Sequence, residues 1–290
     1  MKHTIQNEYL SVGAQENGAE LVSMIELSIN KEYMWQANDP EYWARHSSIL
    51  FPVIGACFNG EIKVAGKSHP MTKHGLVRNS DFQLVEKTSD QMSFTLSSSD
   101  QTKIHYPFDW TLKIRYRLIG KTLSITYKVF NDGDEDLPYS IGAHPAFNCP
   151  MDEGLQRSDY SLVFDQEETQ YSPQIDPEGL ISSKTVNIMN QSKTITIEDD
   201  LFSEDALILT NLNSSKVSLE SIGGSSLTFS FKGFTHLGIW ASPGNAPFVC
   251  IEPWCGIADP VGYQGEIYTK PGILKLAPNS FSEHTHIISL

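Results

Sequence analysis

The feature that most constrains the fold is an alternation of apolar and polar residues that recurs along most of the chain. Leu112, Ile114, Tyr116 and Leu118 alternate with Lys113, Arg115 and Arg117, and Leu123, Ile125, Tyr127 and Val129 alternate with Ser124, Thr126 and Lys128. Met92, Phe94 and Leu96 repeat the pattern, as do Leu227, Phe229 and Phe231. Successive side chains of a strand point to opposite faces, so each run reads as a half-buried strand. Turn residues such as Ile119-Gly120-Lys121 and Asp132-Gly133-Asp134 separate the runs, which favours antiparallel neighbours. The chain is expected to be all-β.

Helical periodicity is scarce. The best candidate lies at residues 38–45, where Asp39 would cap a short helix and Pro40 would take its first position. No βα unit repeats, and Gly223-Gly224 lacks the spacing of a phosphate-binding loop, so no nucleotide cofactor is expected. The polar stretch 166–190, with Pro173, Pro177 and Gly179, has the composition of a linker. Alternating strands flank it at 160–164 and 206–209, which favours a long surface excursion within one domain spanning residues 1–290.

A formal net charge of −14 argues against nucleic acid or an anionic membrane as the main partner, since either needs a basic surface. Met1-Lys2-His3-Thr4-Ile5-Gln6-Asn7-Glu8 has no apolar core of signal-peptide length, and nothing later approaches a membrane span. A cytoplasmic protein is expected, with Cys57, Cys149, Cys250 and Cys255 as free thiols. The spacing of Cys250 and Cys255 is not that of a zinc or redox pair, so no metal is expected.

Two ionisable residues stand directly before prolines: His144 in Gly142-Ala143-His144-Pro145-Ala146-Phe147-Asn148, and Glu252 in Ile251-Glu252-Pro253-Trp254-Cys255-Gly256. A residue before proline favours extended geometry, which places both on strands or stiff turns. Alternation sets Phe248, Cys250 and Glu252 on one face, where apolar neighbours would raise the carboxyl's pKa toward that of a general base. Histidine exchanges a proton near neutral pH, so His144 suits the complementary acid. Taken alone, each reads rather as structural: Glu252 paired with a buried arginine or facing solvent, His144 hydrogen-bonded to a backbone carbonyl in the core. His74, in a loop four residues before Arg78, could hydrogen-bond a polar ligand, and Arg78 could anchor hydroxyls or an anion. Trp43, Phe147 and Trp254 could form a flat wall for a sugar ring or simply pack in the core.

Four segments, in order, resemble the signature of the aldose 1-epimerase, or galactose mutarotase, family and its bacterial LacX-like branch. They are Lys73-His74-Gly75, Gly142-Ala143-His144-Pro145-Ala146-Phe147, Ser203-Glu204-Asp205-Ala206-Leu207 and Ile251-Glu252-Pro253-Trp254. The resemblance implies a large antiparallel β-sandwich of the galactose mutarotase-like type that interconverts the anomers of a free hexose without metal or cofactor. His144 would protonate the ring oxygen and Glu252 would take the proton of the anomeric hydroxyl. His74 and Asp205 would hold the sugar's hydroxyls.

One departure concerns the loop after Phe51-Pro52-Val53-Ile54-Gly55. Many relatives are expected to carry an arginine there, whereas this chain has Ala56-Cys57-Phe58, leaving Arg45 and Arg78 to compensate. Three other readings remain: a hexose-6-phosphate epimerase using Arg45, Lys73 and Arg78, a non-catalytic sugar-binding protein, and a glycoside hydrolase using Asp205 and Glu252. The preferred sugar and the oligomeric state are not legible in the sequence.

Overall fold

The computed structural model describes residues 1–198 and 200–290. The alternating runs become a nine-stranded antiparallel sheet. Its order is Ile181–Thr196, Tyr160–Ile175, Lys216–Ser221, Ser226–Ser230, Phe281–Ser289, Thr122–Asn131, Trp110–Ile119, Gln91–Ser97 and Gln83–Lys87. In the strand Trp110–Ile119, Trp110, Leu112, Ile114, Tyr116 and Leu118 are buried while Arg115 and Arg117 are exposed. A two-residue turn joins it to Thr122–Asn131, with Gly120 at φ 57°, the glycine-first geometry that tight hairpins favour.

A second antiparallel sheet has the order Leu207–Thr210, His236–Trp240, Phe248–Cys255, Ile141–Asn148 and Ser47–Leu50. One face packs toward the large sheet, where Phe147 meets Phe229 with ring centroids 6.2 Å apart. A four-stranded sheet built from Lys2–Gln6, Leu10–Gln15, Leu21–Glu26 and Lys31–Glu32 adds to the same core. Tyr116 ties it down by donating to the Ala19 carbonyl at 2.6 Å. One apolar cluster runs from Ile5 to Ile288. This is the expected large antiparallel sandwich. No helix among the described residues is long and apolar enough to cross a membrane.

One local expectation needs correction. Residues 38–45 form a turn rather than a helix: Tyr42 and Trp43 both donate to the Asp39 carbonyl, but the pattern goes no further. Trp43 instead stacks on His144, and that packing outweighs the local capping signal. The α-helix among the described residues is Asp100–His105, started by a reciprocal cap between Ser99 and Thr102. It shows no apolar stripe, since Ile104 is exposed, and so it escaped a periodicity search.

The polar stretch 166–190 lies within a hairpin of two 16-residue strands, Tyr160–Ile175 and Ile181–Thr196. Register shifts along their pairing disturb the alternation that would reveal such strands. At the tip, Asp176 Oδ1 accepts from the Glu178 and Leu180 amides, and Gly179 takes φ 85°. The tip is moored by the Ile181 amide to the Asp259 carbonyl and by the Val261 amide to the Ile181 carbonyl. The excursion therefore ends just beyond the Glu252 strand.

The loop carrying His74 is pinned where Gly75 bridges Phe51. Gly75 sits at φ 81°, and a Cβ there would lie 2.1 Å from the Phe51 carbonyl oxygen. Gly75→Ala is expected to lower the unfolding free energy by about 2 kcal/mol or more, through left-handed strain and backbone collision. Urea unfolding measures it; a loss under about 0.5 kcal/mol would remove this anchoring role.

Candidate active site

The face of the five-stranded sheet turned away from the core carries one row of side chains across its strands. Pairing sets Ser48 opposite His144, Gly238 opposite Glu252, and Ile208 opposite Gly238. The pairs Gly142 with Trp254 and Ala146 with Cys250 centre His144 opposite Glu252. Their side chains meet with His144 Nε2 3.4 Å from Glu252 Oε2. Both following prolines lack an N–H, so the ladder has no donor at those two positions.

Glycines make room for the neighbouring ring. A Cβ on Gly142 would lie 2.8 Å from Trp254 Cδ1, and one on Gly238 would lie 2.6 Å from Trp254 Cζ2. The indole therefore lies across two glycine positions beside Glu252. Three other rings enclose His144: Trp43 stacks on it at 4.7 Å, while Trp240 and His74 approach edge-on at 5.5 and 5.7 Å.

His74 takes φ 67° and is locked to Gly55 by two contacts. Its amide donates to the Gly55 carbonyl at 2.8 Å, and the Gly55 amide donates to His74 Nδ1 at 3.2 Å. Because Nδ1 accepts, the proton of the neutral ring belongs on Nε2, where it can be offered to a ligand. Asp205, at φ 82°, accepts from the Ala206 amide through Oδ1 at 2.7 Å, which fixes its carboxylate at the rim.

These groups line a cavity of about 470 Å³. His74, Arg78, His144, Asp205, Trp254 and Glu252 all face it, as does Trp43. Two expected residues do not. Phe147 is fully buried against Phe229, because it lies an odd number of residues from His144 on the same strand and so points to the core. Arg45 is a brace: it donates to the Arg78 carbonyl at 3.1 Å and to Asn79 Oδ1 at 2.5 Å. Arg78, rather than Arg45, supplies the guanidinium of the cavity wall, and the arginine-free loop contributes Ile54 and Gly55.

The wall also includes Ser48, Lys73, Ile175, Phe202, Ile208 and Trp240. They come from five separate segments, including the long hairpin. Only strand register could have found Ser48, Ile208 and Trp240, and register is not written in local sequence.

Burial sets the protonation of the central pair. It pushes the Glu252 carboxyl well above its usual range, and Asp205 adds to that, while Lys73 opposes it. The Trp254 indole N–H also opposes the shift weakly, without reaching hydrogen-bond geometry, since its Nε1 and Glu252 Oε2 are both without partners. Burial likewise lowers His144 to about 3, and Lys73 and Arg78 reinforce it. His74 is held well below the usual imidazole value by burial, then by His144, Lys73 and Arg78. The pair therefore favours a neutral acid beside a neutral imidazole.

Ser48 Oγ and Arg78 Nε are further buried wall atoms without a partner. One ligand atom each from His144, Cys250 and Glu252 lies within 4.8 Å of the others. The arrangement can exchange protons with a small polar ligand while holding its hydroxyls at several points.

The sequence model of aldose 1-epimerases matches residues 1–275. The chain belongs to the aldose 1-epimerase family. Among curated relatives of this aldose 1-epimerase family member, the LacX protein of Lactococcus lactis subsp. lactis is 33% identical over 296 residues, covering 99% of this chain and 98% of the relative. The galactose mutarotase related enzyme from Lactobacillus acidophilus superposes with a TM-score of 0.94 at 31% identity, covering 100% of this chain and 97% of its own. A galactose mutarotase-like protein from Lactobacillus casei gives 0.93 at 30% identity, covering 100% and 99%.

The buried pair has a thermodynamic signature. The folded protein keeps a proton on Glu252 that the unfolded chain loses above about pH 4.5, so this group's stabilising contribution is lost as pH rises from there toward the folded value. His144 acts at the other end: with its pKa lowered to about 3, its contribution is lost as pH falls from about 6.5 toward about 3. Glu252→Gln is expected to flatten the alkaline limb of melting temperature against pH while leaving the acid limb in place. An unchanged alkaline limb would contradict the raised carboxyl.

Proposed function

We propose that this protein interconverts the α and β anomers of a free hexose, and that the whole chain serves the reaction as one domain. The observation that carries this reading is the cross-strand placement of His144 and Glu252 on one cavity wall, 3.4 Å apart. Unpartnered Ser48 Oγ, Arg78 Nε, Trp254 Nε1 and Glu252 Oε2 surround the same space, a demand for hydrogen bonds that a polyhydroxylated ligand would meet.

The working form has His144 as the doubly protonated imidazolium and Glu252 as the carboxylate. Hydrogen bonds from sugar hydroxyls to the carboxylate would favour this charged form over the neutral pair, and Lys73 favours the ionised carboxyl although it opposes the protonated imidazole. Glu252 takes the proton of the anomeric hydroxyl while His144 gives its proton to the ring oxygen. The bond from C1 to the ring oxygen breaks and leaves an open-chain aldehyde. After rotation about C1–C2, the former ring hydroxyl attacks the other face of C1 and returns its proton to His144. The carbonyl oxygen recovers its proton from Glu252. No net proton is consumed.

His74 Nε2–H would donate to a sugar oxygen, and Asp205 would accept from ring hydroxyls. Arg78 would donate to a hydroxyl at the rim. Trp254 would supply an apolar surface against the ring's C–H face.

A second reading has support of its own. Lys73 and Arg78 both face the cavity, and together they could bind a phosphate on the sugar. Arg45 drops out of that set because its guanidinium is spent on the backbone and on Asn79.

Freshly dissolved α-glucose and α-galactose followed by polarimetry test the main reading. Glu252→Gln and His144→Ala are each expected to lower kcat/KM by about 10²- to 10⁴-fold, with cooperative unfolding retained. Wild-type rates in either variant would remove that residue from the mechanism. Faster turnover of glucose 6-phosphate than glucose, with a selective loss in Arg78→Ala, would replace the free hexose by a phosphorylated one.

A further inference from the structure

The strand that presents Glu252 also presents a thiol. Cys250 lies two residues earlier on the same face, opposite Ala146 on one side and Trp240 on the other. Its ligand atom, His144's and Glu252's all lie within 4.8 Å of one another. Cys250 and Glu252 are 0% and 1% exposed, His144 is 9% exposed, and Glu252 Oε2 has no hydrogen-bond partner.

We propose that His144, Cys250 and Glu252 form an inhibitory binding site for zinc. A tetrahedral zinc ion binds nitrogen and oxygen at about 2.0 Å and sulfur at about 2.3 Å, which puts ligand atoms roughly 3.3–3.7 Å apart. The imidazole and carboxylate already stand 3.4 Å apart. The thiol needs at most a shift of about 1.5 Å to join them, from the 4.8 Å bound to the tetrahedral spacing. Its cross-strand neighbour on the His144 strand is Ala146, the smaller of its two flanking side chains.

Charge and donor type select the ion. A carboxylate and a thiolate balance a divalent cation beside a neutral imidazole, so the buried complex carries no net charge. The thiol proton, and any proton on the carboxyl, leave to solvent as the metal binds. A nitrogen, sulfur and oxygen set suits zinc and disfavours magnesium or calcium, which take oxygen ligands. The fourth position opens to the cavity and would hold water. Sequence spacing does not reveal the site, because its ligands come from two strands that meet only in the sheet.

A bound ion would occupy the lone pairs on which acid/base chemistry at His144 and Glu252 depends, so zinc and sugar would exclude one another. That competition rests on the proposed function; zinc binding itself does not. Isothermal titration of zinc chloride into the full chain is expected to give one ion per chain, with affinity at least about tenfold weaker in Cys250→Ala. Anomalous scattering at the zinc edge from soaked wild-type crystals should place the ion between the three side chains. In polarimetry, zinc should slow mutarotation, EDTA should restore it, and added sugar should relieve it competitively. Cys250→Ala should keep the basal rate and lose most of the inhibition.

Equal zinc affinity in wild type and Cys250→Ala, or an anomalous peak elsewhere, would overturn the proposal. If Cys250→Ala does not fold, Cys250→Ser and the wild-type anomalous map decide the matter. A chain that binds zinc at this position but never accelerates mutarotation would retain the site and refute the proposed function.

Discussion

The antiparallel pairing of the strand Ile141–Asn148 with the strand Phe248–Cys255 is the constraint on which the site depends. It sets an imidazole opposite a carboxyl in the middle of a sheet, where each strand has a further neighbour. Side chains alternate strictly, so a slip of one residue would turn His144 into the core and bring Ala143 or Pro145 to the cavity. The core face resists that slip. Phe147, Val249 and Ile251 are fully buried there, with Phe147 against Phe229 of the large sheet. The apolar packing on one face thus determines the chemistry available on the other.

Holding such a pair away from water is costly, and the surrounding structure shows how the cost is contained. The two groups can remain neutral, and Trp43, Trp240 and His74 enclose the imidazole on three sides. His74 and Asp205 both occupy positive φ, a region that histidine and aspartate enter only at a penalty. His74 is kept there by its reciprocal contacts with Gly55, and by a glycine next in sequence that fits against Phe51 without a side chain. These are the departures from local preference expected where binding geometry outweighs stability.

The legibility of the fold and site in the sequence follows how local each signal is. Alternation in Trp110–Ile119 and Thr122–Asn131 is a property of ten consecutive residues, and it survives folding unchanged. Extended geometry at His144 and Glu252 is equally local, because it arises from steric contact with the following proline. Phe147 was ambiguous only until its parity relative to His144 was tied to a known core face. Ser48 carries no motif; it enters the site because its strand pairs beside Ile141–Asn148, about a hundred residues away. The long hairpin hid for another reason. In its first strand the buried positions beyond Phe164 are the polar Glu168, Gln170 and Ser172, and its second strand is largely exposed, so no apolar alternation marks it, yet its end supplies Ile175 and Gly179 to the cavity.

His286 provides an internal control on what identifies the site. Like His144, it is buried and its pKa is lowered to about 3 by desolvation. It lies between Tyr127 and Phe229, with centroids at 5.6 and 4.9 Å, and neither ring nitrogen has a hydrogen-bond partner. It occupies the core as a flat, neutral ring, with no ion pair to a carboxylate among the described residues and no place on the cavity wall. Burial is the leading cause of the lowered value in both histidines and does not distinguish them. What separates His144 is its position: a carboxyl directly across the strand pair, pushed in the opposite direction by the same desolvation, and a polar cavity open to both. The opposite shifts hold the proton on the carboxyl and off the imidazole, so a change in their shared surroundings can redistribute it between the two, whereas a lone buried imidazole has no partner to exchange with.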